Sequence, residues 1–293
     1  MAAVHTVTVV HTIAELRARI KTFRRSSEQT VGFVPTMGYL HEGHASLLKK
    51  ACAQSGLVVL SIFVNPLQFG PNEDFERYPR NPERDLAVAE AAGADLVFMP
   101  SVEEMYPQPI RTTVSVSGVT ERLCGASRPG HFDGVATVVS KLLHIVQPDQ
   151  AFFGMKDAQQ VAVIEQMVQD LNLDVEIVRC PTLREEDGLA MSSRNVYLTQ
   201  DEREQALVLS QALNKAEAYI AKQAVISSKA LVDLVSSHIR TAPLADIDYV
   251  EALTYPTLQP FETSPLSDTI VIAVAVKFGK TRLIDNLITQ VRK

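Results

Sequence analysis

The sequence predicts an α/β fold: a doubly wound parallel sheet wrapped by helices, followed by a smaller α+β domain at the C-terminus. Three observations carry this expectation. Up to residue 180, short apolar runs bounded by Gly, Asn or Pro alternate with amphipathic stretches. The most apolar run, LVVLSIFV at 57–64, is rich in β-branched residues and has no polar face, as a strand covered on both sides must read. Past Pro181 the texture changes to charged helices and then strands.

Taken in order, Ile13, Leu16, Ile20 and Phe23 recur at helical spacing, with Thr12 placed to cap the helix. Residues 31–37 read as a strand running into a tight turn at Gly38, and 43–54 as a helix. The strand at 57–64 stops at Asn65-Pro66. A helix over 82–92 precedes a strand at 95–99, which Pro100 ends. Residues 100–128 hold three prolines and one candidate hairpin at 111–116. Helices at about 135–146 and 157–171 alternate with strands at 151–153 and 174–180, which completes six strand-like segments. Helices over about 200–222 and 227–240 then precede strands at 246–252 and 269–278. The expected domains are 1–180 and 181–293.

At 293 residues the chain is long enough for two domains. With 46% hydrophobic and 21% charged residues it has the composition of a folded globular protein, which excludes disorder. A net charge of −6 argues against a polyanionic partner, so no nucleic acid is expected. The three cysteines have neither the spacing of a zinc site nor the density of a disulfide scaffold. The N-terminal MAAVHTVTVVHT has no basic region and no long apolar run. These features imply no membrane span and a reducing, cytoplasmic setting.

Five constellations bear chemistry. The first is Pro35-Thr36-Met37-Gly38-Tyr39-Leu40-His41-Glu42-Gly43-His44, where a strand end and a glycine turn open a helix. Glycines let backbone approach a ligand, and a helix N-terminus attracts phosphate. His41 and His44, three apart, share one side of the first turn and can donate to phosphoryl oxygens. The alternatives are two helix-cap histidines or a metal pair, although no glutamate stands behind them to complete a zinc site. The second is Met191-Ser192-Ser193-Arg194 after Asp187-Gly188-Leu189, hydroxyls and a fixed cation suited to triphosphate. Alone it reads as a polar loop; coupled to His-x-Gly-His it reads as a nucleotide site.

The third constellation, Phe153-Gly154-Met155-Lys156-Asp157-Ala158-Gln159-Gln160, turns from a strand into a helix where α/β sheets bind ligands. Lys156 can offset phosphate charge, and Asp157 can cap the helix or hold ATP hydroxyls. In the fourth, Asn65 and Gln68 of FVNPLQF offer amides suited to a small hydroxy acid. In the fifth, GASRPGHFDG, Arg128 and His131 either serve an anionic or amine substrate or are loop residues.

The first two signatures together resemble those of the adenylating nucleotidyltransferases, with arginine where that group usually has lysine. The ordered set PTMGYLHEGH, FVNPLQF, SRPGHFDGV, FFGMKDAQQ, DGLAMSSRN and TRLIDN further resembles the pantoate–β-alanine ligase family over nearly the whole chain. That resemblance implies a Rossmann-like N-terminal domain, a C-terminal lid and a homodimer. It implies ATP as co-substrate with Mg²⁺, and pantoate and β-alanine joined through a pantoyl-adenylate, with pyrophosphate and AMP released. By position, residues 35–44, 154–157, Leu183 and 191–194 would hold ATP, with His44 the proton donor. Gln68 and Gln160 would bind pantoate, with Gln68 also near the amine. Asp85 matches an acidic position near Mg²⁺-ATP.

Two departures stand out. Cys124 and Met155 replace glutamates usual in the family, and Cys124 is expected to weaken an ion pair that orders the loop of Arg128. Two rival readings differ in what they require. A transferase acting on a phosphorylated alcohol would need a basic pocket and gives no reason for Gln68 and Gln160. A tRNA-binding relative would need a basic appended domain, which an acidic chain lacks.

Overall fold

The structure, a computed structural model, describes residues 6–71, 73–223, 225–264 and 268–291. Strand β1 (Thr8–Val10) leads into helix α1 (Ile13–Ser26), whose cap Thr12 accepts the Glu15 N–H. Then come β2 (Val31–Thr36), α2 (Glu42–Gln54), β3 (Leu57–Ile62), α3 (Pro82–Ala91), β4 (Leu96–Phe98) and the short α4 (Val102–Met105). A second short helix, α5 (Cys124–Ser127), precedes α6 (His131–Val146), β5 (Gln150–Gly154), α7 (Ala158–Asp170) and β6 (Glu176–Cys180).

The six strands pair in parallel in the order β1-β4-β3-β2-β5-β6. Phe33, Val34, Val59, Leu60 and Phe152 are wholly buried, as a sheet covered on both faces requires. From β2 the chain winds outward to β3 and β4 on one side and to β5 and β6 on the other. The strand order therefore reverses between β2 and β5, and the carboxyl ends of those two strands are where this fold places ligands. The histidine segment leaves β2, and the Lys156 segment leaves β5.

Residues 111–116 form no hairpin. The Val114 N–H donates to Thr137 Oγ1 at 2.9 Å, and Ser115 Oγ donates to Asp133 Oδ1 at 2.7 Å. A side chain of α6 thus serves the Val114 N–H that a partner strand would otherwise meet. The sixth strand is instead the three-residue β1.

The chain divides into two compact units. The first comprises 1–116, 128–155 and 163–181; the second comprises 117–127, 156–162 and 182–293. Sequence reading draws one boundary near Pro181 and does not anticipate the excursions at 117–127 and 156–162. In the second unit, α8 (Gln200–Gln205) and α9 (Val208–Ile220) replace one expected helix. After β7 (Ile226–Ser227) come α10 (Ser228–Ile239), β8 (Ala245–Thr254), β9 (Thr263–Ser264), β10 (Thr269–Phe278) and β11 (Thr281–Gln290). An antiparallel sheet β11-β10-β8 packs Ile272, Val274 and Phe278 against Leu209, Leu213 and Ile239. No helix among the described residues is long and apolar enough to cross a membrane.

Candidate active site

Helix α2 begins with histidine where serine or aspartate is usual. His41 is the N-cap, and its Nδ1 accepts the Gly43 N–H at 3.1 Å. His44 reaches back, its Nδ1 accepting the His41 N–H at 3.3 Å, so the pair closes a capping box. Because each Nδ1 accepts, each neutral ring carries its hydrogen on Nε2. The rings lie 4.1 Å apart at 40°. The sequence left a cap and a phosphate donor as competing readings; the geometry shows the cap, which uses Nδ1 of each ring.

Before the helix, Gly38 and Tyr39 have φ of 84° and 50°. A side chain at Gly38 would meet Ile62 Cγ2 at 2.9 Å and Asp85 Oδ2 at 3.0 Å, so glycine is required there on two counts. Asp85 itself is 2% exposed, and its two oxygens accept the N–H groups of Tyr39 at 2.9 Å and Leu40 at 2.6 Å. Burial pushes its carboxyl above the usual range, against the opposing pull of those two bonds and Arg84. Mg²⁺ demands near-octahedral oxygen coordination. Among the described residues, no group of three His, Cys, Asp or Glu could hold a metal. Asp85 was expected near Mg²⁺; here its carboxylate is buried and each oxygen accepts a backbone N–H.

Asn65 and Gln68 come together on the 3-10 turn Pro66–Gln68 after β3. Asn65 Nδ2 donates to Gln68 Oε1 at 3.3 Å and to the Gly134 carbonyl at 3.1 Å. Asn65 Oδ1 accepts from Leu67 N–H and from Tyr106 Oη at 2.9 Å. These bonds set the amide orientation of Gln68, so that its Nε2 is the outward donor, here on Met37 Sδ at 3.1 Å. Burial pushes the Tyr106 phenol up to about 12. Sequence reasoning missed Tyr106, for which a tyrosine in a proline-rich stretch is no signal.

Arg128 and His131, read from the sequence as substrate groups or loop residues, brace Gln68. The Gln68 carbonyl accepts from Arg128 at 3.3 Å and from His131 Nδ1 at 2.8 Å. The guanidinium also forks onto Glu73 at 2.7 and 2.5 Å. Glu73 was not foreseen, because nothing in its own stretch marks it as the partner of an arginine 55 residues away.

In the second unit, Asn286 of β11 donates to the Lys156 carbonyl at 2.8 Å. Its neighbour Asp285, 2% exposed at its side chain, takes Arg184 at 2.6 and 3.0 Å. Ser192 Oγ accepts the Arg194 N–H at 3.2 Å and caps the 3-10 turn Ser193–Tyr197. That turn packs on β11. One strand therefore organises both the Lys156 and the serine-arginine segments, which gives TRLIDN a task. Asp157 and Leu183 are exposed, and Gln160 is half-buried. Gln159, not Gln160, is the buried amide, and its Nε2 donates to the carbonyls of Val119 and Arg122.

The Cys124 departure is compensated. Its Sγ lies 3.2 Å from Tyr249 Oη and 3.6 Å from Arg282, and that arginine pairs with Asp248 at 2.8 Å. Glu251 also accepts the Leu123 N–H and Arg122, so the 117–127 segment stays tied down.

A reversing parallel sheet with an imidazole-capped helix leaving a central strand is the form of a nucleotide-binding α/β enzyme. The family model for pantoate-beta-alanine ligase matches residues 8–288. A pantothenate synthetase of Acetivibrio thermocellus is 55% identical over 283 residues, covering 97% of this chain and 99% of that protein. The pantothenate synthetase of Thermus thermophilus superposes with a TM-score of 0.89 at 46% identity, over 98% of this chain and all of that one. A ligase from Francisella tularensis, solved in complex with β-γ ATP and β-alanine, gives a TM-score of 0.76 at 34% identity, over 96% and 97%. The chain belongs to the pantoate–β-alanine ligase family, whose members are ATP-dependent, amide-forming enzymes of pantothenate biosynthesis.

Proposed function

We propose that this chain activates pantoate as its acyl-adenylate and passes the acyl group to β-alanine, with the residues above in stated roles. The observation that supports the assignment is the capping box of His41 and His44, which fixes both imidazoles at the N-terminus of α2. A carboxylate oxygen of pantoate attacks the α-phosphorus of ATP, and pyrophosphate leaves. The β-alanine amine then attacks the acyl carbon, loses a proton, and AMP leaves. Carboxylates are inert to amines at neutral pH, so adenylation supplies the leaving group.

In this reading residues 35–44 hold ATP, and His44 with His41 donates to phosphoryl oxygens as charge builds. Lys156 offsets phosphate charge beside Gly154, Met155 and Asp157. Leu183 packs by the adenine, and Met191, Ser192, Ser193 and Arg194 close over the triphosphate. Asn65, Gln68 and Gln160 take pantoate, while Arg128 and His131 act through Gln68. Mg²⁺ travels on the phosphate oxygens of ATP. A homodimer is inferred from the family resemblance, and a cytoplasmic setting from the cysteine pattern and the N-terminal segment; light scattering tests the former.

An isotope-exchange assay tests the chemistry. ATP should exchange label with pyrophosphate only when pantoate is present, and AMP should form only once β-alanine is added. Steady AMP formation from ATP and pantoate without any amine would refute this order.

A further inference from the structure

We propose that Asp85 is a positioning residue of the histidine turn and not a ligand of Mg²⁺. Its carboxylate holds the left-handed Gly38-Tyr39 step so that the two imidazoles start α2 in one register. The inference rests on the adenylation reading only for what the histidines do; the hydrogen bonds stand without it.

Tyr39, at φ 50°, is a bulky residue in a region that non-glycine residues rarely occupy. Such a conformation persists only where its surroundings over-determine it. Here the first turns of α3 supply that support twice. Asp85 spends Oδ2 on the Tyr39 N–H and Oδ1 on the Leu40 N–H. Arg84, one residue earlier, sets its guanidinium 4.8 Å from the centroid of the Tyr39 ring. Leu40, next along, is wholly buried and fixes the depth of the turn. The residue after it is the cap itself, so any slip of Tyr39 or Leu40 moves His41, and through the box His44. A cation on Asp85 would have to compete with two short N–H bonds inside a nearly closed site, and among the described residues no cluster of three His, Cys, Asp or Glu stands ready to hold it.

The decisive measurement uses the full-length enzyme, labelled with ²H, ¹³C and ¹⁵N. Through-hydrogen-bond couplings from the Asp85 carboxylate carbon to the Tyr39 and Leu40 nitrogens are recorded before and after adding Mg²⁺ with β,γ-methylene ATP. Both couplings should be present and should survive the addition. Their loss on adding Mg²⁺ and nucleotide would overturn the proposal, because the carboxylate would have left the turn for the metal. This reading needs no variant and no turnover, so it can overturn the proposal even if Asp85→Asn does not fold, or if pantoate-dependent exchange is absent and the reaction assignment itself fails.

The second arm follows pyrophosphate exchange in Asp85→Asn against Mg²⁺ concentration. The maximal rate should fall roughly 10- to 100-fold, the scale of misplaced catalytic groups, while half-activation by Mg²⁺ stays in place. Half-activation displaced by about tenfold or more, with the rate restored at saturating Mg²⁺, is the signature of a lost metal partner and would count against positioning.

Discussion

The turn before α2 and the segment over 182–197 carry the two signatures, and they are held by different physics. The turn is set by backbone N–H groups on a carboxylate that is 2% exposed, and by a capping box of two rings. The segment is stapled at its stem by charge pairs: Arg184 on Asp285, and Arg203 on Glu185 at 2.6 Å and Asp187 at 2.7 Å. Within it Leu183, Val196 and Tyr197 are 39%, 56% and 40% exposed. A buried acceptor on backbone donors leaves water and salt little to compete for. Ion pairs on partly exposed arginines are open to both. The difference teaches which half of the signature is a fixed template and which is a yielding one.

The largest expected effect tests whether both halves serve one step. His44→Ala and Lys156→Ala should each slow adenylation by about ten- to a thousand-fold, the range for lost phosphate donors, as read by single-turnover pyrophosphate release. Wild-type rates in both variants would remove the ATP site from these segments and leave the comparison without a function.

A smaller effect separates the two kinds of support. Raising salt from 0.1 to 1 M, which shortens the screening length from about 10 to 3 Å, should speed amide exchange over 183–197 several-fold. Tyr39 and Leu40 should hardly respond. Equal acceleration in both places would erase the distinction.

The smallest effect asks whether an ion pair in the first unit behaves like those of the second. Burial raises the Glu73 carboxyl, but the Arg128 bonds and charge pull it further down, to a net position below its ordinary 4.5. A depressed carboxyl stabilises fully above the unfolded value, and that stabilisation is lost as pH falls through the folded value. The melting temperature of Glu73→Gln should therefore lie below wild type at pH 7, and the gap should close as pH drops below about 4.5. A gap that is constant with pH would mean that the pair contributes by packing and not by charge.

Much of the sheet was legible because β2, β3 and β5 are largely apolar runs ended by Gly, Pro or a turn, and β6 stops at Pro181. β1 was not, since three residues carry no periodicity to detect. The opposite error arose at 111–116, where Val114 and Val116 alternate with polar residues as a strand would. Thr137 on α6 took the place of a partner strand at the Val114 N–H, and no local pattern reports that. β11 hid because Asp285 interrupts the face of Leu283 and Leu287, although its burial alternates along the first half.

At the site, the histidines, amides and lysine were visible as residue types at strand ends. Their supports were not. Asp85 lies 45 residues from Leu40, Asn286 lies 130 from Lys156, and Tyr106 lies 41 from Asn65. Sequence shows which groups can do chemistry; which groups orient them depends on approaches that only folding creates.

The histidine cap also changes how substitutions there must be interpreted. Alanine at 41 or 44 deletes an N-terminal helix stop along with an imidazole, so a slow variant confounds disordered architecture with missing chemistry. Asparagine at 41 separates the two, because its short amide oxygen can receive the Gly43 N–H while offering no ring. A helix that starts correctly in His41→Asn, in an enzyme that is still slow, would assign the deficit to the absent ring nitrogen alone.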